Sequence, residues 1–324
     1  MDGDGLGHED MAGGPTEAGG PHGGRVVLVR GPVARVVRRC PPELARTLAH
    51  ETRTLAHEKG EPVTADATLE QVADGVLVVT HPFCTTTTTV VLGDDGGCLV
   101  VDPAVTAAEI DALAAELARR GLRVVAGFST HPHWDHLLWR DALGDAPRHA
   151  TAVAARTAEE RLAENQGKAG EALAGVDGGP LGGVTALVGE VLAWAGPRVE
   201  VVEHGAHAPG HAALVLPDAR VLIAGDMLSD VEVPLPDHRA ADPLGDYDRA
   251  LDRFAALADG VDVVVPGHGT VGDRDELDRR IAADRRYLEH VRAGRAVHDL
   301  RLVDGPDWLR REHEELVALV GGAG

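Results

Sequence analysis

Within Ser129-Thr130-His131-Pro132-His133-Trp134-Asp135-His136, three imidazoles and a carboxylate fall within six residues. Neutral imidazole and carboxylate together are donors that suit zinc, and also iron or manganese. His131 and His133, alternating along the chain, can reach one ion while Asp135 and His136 reach a second beside it. A lone histidine is usually a solvated surface residue, but this density directly after an apolar stretch sets a different expectation. The cluster is short of a full coordination set, so more ligands must come from elsewhere.

Three later residues have the right chemistry and setting. His207 stands in His204-Gly205-Ala206-His207-Ala208-Pro209-Gly210-His211, Asp226 in Ile223-Ala224-Gly225-Asp226, and His268 in Val265-Pro266-Gly267-His268-Gly269. Small residues beside each one let the backbone approach an ion closely. Taken singly, Gly-Asp and Pro-Gly-His-Gly read as turns. All three follow apolar runs in a chain that already carries the cluster, and together they read as ligands.

The elements that must position these residues are short strands. Arg123 to Phe128, apolar and β-branched, reads as the buried strand that delivers the cluster to a loop at a sheet edge. Before it, Gly75–Thr80, Thr87–Leu92 and Gly97–Val101 read as a meander, with a turn over Gly93 to Gly96. Thr106 to Glu109 is a capping box with Val105 and Ile110 as its staple pair, opening a helix that buries Ile110, Leu113 and Leu117 and stops at Gly121. Residues 151–195 are mostly helical by composition and read as a helical insertion carrying Trp194. Strands resume at Arg198–Glu203, Ala213–Leu216 and Arg220–Ala224, followed by an amphipathic helix over Tyr247–Leu257 and a strand over Val261–Val265. From Arg274 onward the chain is charged helix. The order gives two sheet-plus-helix halves.

Ahead of this domain, assigned to residues 66–324, residues 1–24 are Gly-rich and acidic and are expected to be a disordered tail. Residues 25–65 form an extension: an apolar-basic arm over Arg25–Arg39, then a helix from Pro41-Pro42 to Lys59. The 324 residues include 44 % hydrophobic side chains, ample for a core, but only 3 % aromatic, so that core must be Val, Leu, Ala and Ile. With 31 Lys+Arg against 52 Asp+Glu, the net charge of -21 repels phosphate backbones and sets nucleic acid aside as a general partner. Cys40, Cys84 and Cys98 are odd in number and lack CxxC spacing, which fits a reducing compartment. No apolar run approaches the ~20 residues of a membrane span, and the start lacks a secretory pattern. Cytoplasm is the expected location, a small molecule the expected partner, and a homo-oligomer stays open.

Five ordered elements, namely Asp102, the HxHxDH cluster, His207, Asp226 and His268, lie between about Leu69 and Thr270. With their intervals, they make this stretch resemble the metallo-β-lactamase-fold superfamily of metallohydrolases. The resemblance implies an α+β fold, an αββα sandwich with the site at one edge. It further implies that His131, His133 and His207 hold a first metal, that Asp135, His136 and His268 hold a second, and that Asp226 bridges the two. Two zinc ions are expected, with iron or manganese as alternatives. His207 and His211 compete for one slot; the family's ligand usually precedes a Thr-Pro-like pair, which favours His207 and leaves His211 behind the ligands or facing the pocket. Asp102 is expected to orient a ligand histidine, and Trp134 and Trp139 to line the pocket. Two departures bear on substrate. Leu137-Leu138-Trp139 follows the cluster where the family often has Gly-Gly, and Asp226 stands where the zinc β-lactamases commonly carry cysteine.

The expected chemistry is hydrolysis of a small ester, thioester or lactone by a hydroxide shared between two ions, with Asp135 and Asp226 as the catalytic carboxylates. Oxygenation of a persulfide at a single iron is the second class. Phosphodiester cleavage is a third, conditional on a basic groove around Arg140, Arg148 and Arg156. A non-catalytic binding protein on this fold is the fourth, disfavoured by a full ligand set.

Overall fold

A computed structural model describes residues 67–173, 177 and 179–322. The expected tail, the apolar-basic arm and the Pro41–Lys59 helix lie outside these residues.

Two sheets form the centre. The first takes its strands in chain order: β1 Glu70–Ala73, β2 Val76–Thr80, β3 Thr87–Leu92, β4 Gly97–Val101, β5 Arg123–Phe128, β6 Arg148–Ala150 and β7 Thr185–Ala186. β1 to β4 run antiparallel, and β4 to β7 run parallel. The crossover from β4 to β5 is the helix α1, Ala107–Arg119. The second sheet contains β8 Glu200–His204, β9 His211–Leu216, β10 Val221–Gly225, β11 Val263–Pro266 and β12 Gly272–Asp273 in the order β12-β11-β10-β9-β8. Its one parallel pair, β10 with β11, is joined through the helix α4, Pro243–Leu257. Each half is thus a meander followed by a helical crossover, and the first half adds a second crossover between β6 and β7.

Both faces of each sheet are covered, which is why the strands read as continuous apolar runs rather than alternating ones. The two-residue period of a strand still sorts the side chains. Val76 and Val78 of β2 join Val91, Leu99, Val101 and Phe128 against Leu214, Leu216, Val221 and Ile223 of the second sheet. Leu77 and Val79 face the other way, toward Ile110, Leu113 and Leu117 of α1. On the outer face of the second sheet, Leu222, Ala224 and Val264 pack against Tyr247, Leu251 and Phe254 of α4. Leu277, Ile281 and Leu288 of α5 (Arg274–Arg292) complete that core, with Leu309 and Leu316 of α7 (Asp307–Gly321); the short α6, Leu300–Val303, precedes α7. Helix, sheet, sheet, helix is the αββα sandwich.

The capping box at Thr106 forms as the sequence requires: Thr106 Oγ1 accepts from the Glu109 amide, and Glu109 Oε2 accepts from the Thr106 amide. Among the described residues, the stretch read as mostly helical over 151–195 is helical only in α2 (Ala152–Glu160) and α3 (Leu162–Ala172). β7 and loops follow, and Trp194 packs against the inter-sheet core with its indole N–H on the Pro197 carbonyl. Ala, Gly and Leu dominate that stretch, a composition that a chain folded along a sheet edge shares with helix. Among the described residues, no helix is long and apolar enough to cross a membrane.

Candidate metal centre

The cluster begins three residues beyond the end of β5 and closes in a 3-10 turn, Trp134–His136. Asp102, at the end of β4, ties the two ends of this loop together. Its Oδ1 accepts from the Thr130 amide at 2.8 Å, and its Oδ2 accepts from Thr130 Oγ1 at 2.7 Å and lies 3.0 Å from His136 Nδ1. The backbone of Asp102 sits at φ +48°, in the left-handed region that non-glycine residues seldom occupy. Asn165 of α3 donates to the Pro132 carbonyl at 2.8 Å and holds the middle of the loop.

The second sheet brings the remaining donors. His207 lies between β8 and β9, Asp226 directly after β10, and His268 two residues beyond β11. His131, His133, His207 and Asp226 offer ligand atoms that all lie within 4.8 Å of one another, as do Asp135, His136, Asp226 and His268. Asp226 belongs to both groups. Its Oδ2 is 3.3 Å from His131 Nε2 and 3.5 Å from both His207 Nε2 and His268 Nε2, while Oδ1 is 3.1 Å from His136 Nε2. Asp135 Oδ2 is 3.3 Å from His268 Nε2. The structure therefore brings together all seven residues expected as ligands.

The protons of these imidazoles follow from their outer partners. His207 Nδ1 donates to the Leu235 carbonyl and His268 Nδ1 to the Cys84 carbonyl, both at 2.8 Å. Thr130 gives its hydroxyl proton to Asp102, so its oxygen accepts from His131 Nδ1 at 3.0 Å. His136 points Nδ1 at Asp102. In its neutral form each of these four rings would present a bare Nε2 inward. His133 differs, with Nδ1 facing His207 Nε2 at 3.0 Å, and His136 Nε2 faces His268 Nε2 at 3.4 Å. Lone pairs that close repel unless a proton or a cation lies between them. His131 Nε2 and Asp226 Oδ1 are moreover buried without a hydrogen-bond partner. This donor set fits metal ions.

The electrostatics agree. Burial works against a charged imidazole at His136, yet the Asp226, Asp102 and Asp135 carboxylates hold its pKa well above the ordinary value. His268 is raised in the same way, against burial, by Glu232 and Asp226. Burial favours neutral acids at Asp135 and Asp226, but the facing imidazoles hold both below the usual carboxylate range. Burial takes His207 down to about 4 and His133 well below its usual value. The pocket stabilises positive charge on one side and neutral imidazole on the other.

His211 is completely buried, and both of its nitrogens are engaged: Nε2 accepts from the Asp226 amide at 3.1 Å, and Nδ1 lies 3.1 Å from His204 Nε2. It stacks on His131 with ring centroids 4.9 Å apart, behind the ligand atoms. Of the two competing histidines, His207 is the one that reaches the cluster. Trp134 packs half-buried against the helix-side core. Trp139 is buried in that core, donates its indole N–H to the Gly144 carbonyl and stacks under the Arg148 guanidinium. The cavity of about 390 Å³ that it lines includes none of the seven clustered residues. The bulk of Trp139 fills the space left by glycine at 127, where a Cβ would stand 2.8 Å from the indole. The basic groove does not assemble: Arg140 pairs with Asp111 and Asp177, Arg156 with Glu160, and Arg148 lies over Trp139. Tyr247 and Tyr287 are core residues, the latter bonded to His313.

Three residues at the centre were not singled out in the sequence. Thr130 carries the proton logic of His131. Glu232 approaches His268 Nδ1 to 3.8 Å, and burial pushes its carboxyl up to about 7. His204 backs His211. His204 stands directly opposite His211 in the β8–β9 ladder, a register that only the folded chain shows.

An αββα sandwich with two donor groups sharing an aspartate at one edge defines a class of metal-dependent hydrolases. The chain belongs to the metallo-beta-lactamase superfamily, whose sequence pattern it matches over residues 82–268. Among solved structures it is similar to a metallo-beta-lactamase family protein of Thermus thermophilus, with 27 % identity, a TM-score of 0.56, and 77 % of this chain and 93 % of that one covered. A beta-lactamase domain protein of Burkholderia ambifaria is 20 % identical with a TM-score of 0.55, covering 82 % and 90 %. A stereoselective inverting sec-alkylsulfatase of a Pseudomonas species is 16 % identical with a TM-score of 0.55, covering 70 % of this chain and 42 % of that one. The last two likenesses concern the fold alone.

Proposed function

We propose that this protein is a di-zinc hydrolase of a small ester, thioester or lactone. The observation that carries the reading is that Asp226 is shared by two four-residue donor groups. His131, His133 and His207 would hold one ion, Asp135, His136 and His268 the other, with Asp226 between them. Ions held there would lower the pKa of a bound water to roughly 7 and polarise a substrate carbonyl.

The chain's own residues supply orientation. Asp135 Oδ2, beside His268 Nε2, is the carboxylate oxygen placed to accept a hydrogen bond from the attacking water and fix its direction. The outer hydrogen bonds from Nδ1 of His207 and His268 hold each ring with Nε2 inward, so little reorganisation is needed on binding. The dispersed arginines offer no phosphate-tracking groove, which supports an uncharged acyl substrate over a phosphodiester.

The test is the metal content of protein purified without added metal, followed by a screen of lactones and thioesters. Near two zinc per chain, lost in Asp226→Ala together with activity, is the expected result. About one iron per chain, with oxygen uptake on persulfide, would overturn the hydrolytic reading.

A further inference from the structure

His204 and His211 form the last pair of the β8–β9 ladder, directly opposite one another, so their side chains share a face. That face points at the metal centre. His211 Nε2 is 3.1 Å from the Asp226 amide nitrogen, which is a donor only, so Nε2 must be the bare, accepting nitrogen. The single proton of a neutral His211 is then on Nδ1, and His204 Nε2, 3.1 Å away, accepts it. The Ala206 amide also reaches His204 Nδ1, at 3.4 Å, but protons on both facing ring nitrogens would collide across the 3.1 Å gap, so this longest contact of the series is the one that yields. The His204 ring is held by the edge of Phe254 from α4, with centroids 5.6 Å apart.

The peptide at the end of this relay is fixed from other sides too. The Gly225 carbonyl accepts from the Gly267 amide at 2.6 Å and from the Met227 amide at 2.7 Å. Gly225 itself is at φ +56°, and a Cβ there would stand 2.5 Å from His211 Nε2. Asp226 Oδ1, by contrast, accepts no hydrogen bond. The main chain therefore sets where the shared carboxylate stands, and the imidazoles facing Oδ2 meet it there.

We propose that His204 is a positioning residue of the metal centre: by accepting from His211 Nδ1, it keeps His211 Nε2 free to anchor the Asp226 backbone and so aims the shared carboxylate. The proposal rests on the reading that Asp226 serves both ions, and it concerns no substrate contact. Without the acceptor, the His211 proton is free to move to Nε2, where it meets the Asp226 amide proton head-on and pushes the main chain away.

The experiment compares the full chain with His204→Gln, which keeps an accepting oxygen, and His204→Leu, which does not. Zinc affinity is read by chelator competition and the His211 tautomer by nitrogen chemical shifts of the imidazole. Loss of a group supporting a metal ligand typically costs about 10–100-fold in affinity. His204→Leu is expected to lose that much, with the His211 Nδ1–H signature diminished, and His204→Gln is expected to restore both. On a substrate found by the screen, kcat should fall in His204→Leu with KM little changed, because Asp226 is displaced while the pocket is not. Wild-type affinity in His204→Leu, or loss of affinity without any change in tautomer, overturns the proposal. Should His204→Leu not fold, the wild-type tautomer decides: a proton on His211 Nε2 refutes it. Failure of the two-metal reading shows separately, as a wild-type chain that takes up fewer than two zinc ions.

Discussion

Replacing Arg301 with methionine should destabilise the fold by an amount that grows with pH. The Arg301 guanidinium, only 9 % exposed, pairs with Asp284 of α5 at 2.7 Å and with Asp299 at 2.9 Å, and it donates to the Ser229 and Glu232 carbonyls at 3.1 and 3.0 Å. It therefore joins α5, α6 and the loop after β10. Asp284 is 1 % exposed, and burial, only partly offset by Arg301, pushes its carboxyl up to about 6 from an ordinary 3.8. A folded pKa above the unfolded one means the native state binds the extra proton. This group's contribution is thus full below about pH 4, declines as pH rises to 6, and is constant above that. Removing the guanidinium pushes Asp284 further up, so the decline continues through neutral pH at about 1.4 kcal/mol per unit. Breaking a buried pair on one side costs about 3–5 kcal/mol, and this is the loss expected at pH 7. Urea unfolding of wild type and Arg301→Met at pH 6, 7 and 8 measures it. The gap should widen by at least about 1 kcal/mol from pH 6 to 8, and adding Asp284→Asn should recover a substantial part of it. A gap under about 1 kcal/mol, or one independent of pH, would refute the reasoning.

Three further outcomes follow from other contacts. Gly267→Ala places a Cβ against Asp226 Oδ1 and 3.0 Å from the Gly225 backbone carbon, so zinc affinity measured by chelator competition should fall at least about tenfold and the melting temperature of the metal-free chain should fall as well. Asp102→Ala strands the Thr130 amide and hydroxyl and frees His136, costing about 2–4 kcal/mol in denaturant unfolding along with metal affinity. Thr106→Ala removes one half of a capping box that includes no donor residue and should cost about 1 kcal/mol with the metal content intact.

The residues expected as ligands were legible by type and setting: the HxHxDH cluster follows an apolar strand, and His207, Asp226 and His268 each stand beside small residues after strands. The long strands were legible because burial on both faces leaves no polar interruption in β2, β4 or β10. β6, β7 and β12 span only three, two and two residues, too short for any periodicity to register. Residues 185–195 were misread because sheet-edge packing overrides a composition that favours helix. Trp139 was placed near the site by its proximity in sequence to His136, but the side chain turns toward the core, where Gly127 leaves room for it. His204 and Glu232 matter through cross-strand register and loop packing, which are properties of the folded chain.

The two sheets are also two consecutive stretches of sequence, the first ending at β7 and the second beginning at β8. His131, His133, Asp135 and His136 come from the first, and His207, Asp226 and His268 from the second. Ions at this seam would make coordination and the docking of the two halves a single linked equilibrium. By thermodynamic reciprocity, whatever loosens one half from the other weakens ion binding by the same factor, and each ion held tightens the embrace of the halves in return. A substitution deep in the inter-sheet core, far from any donor atom, would then register as a change in metal affinity.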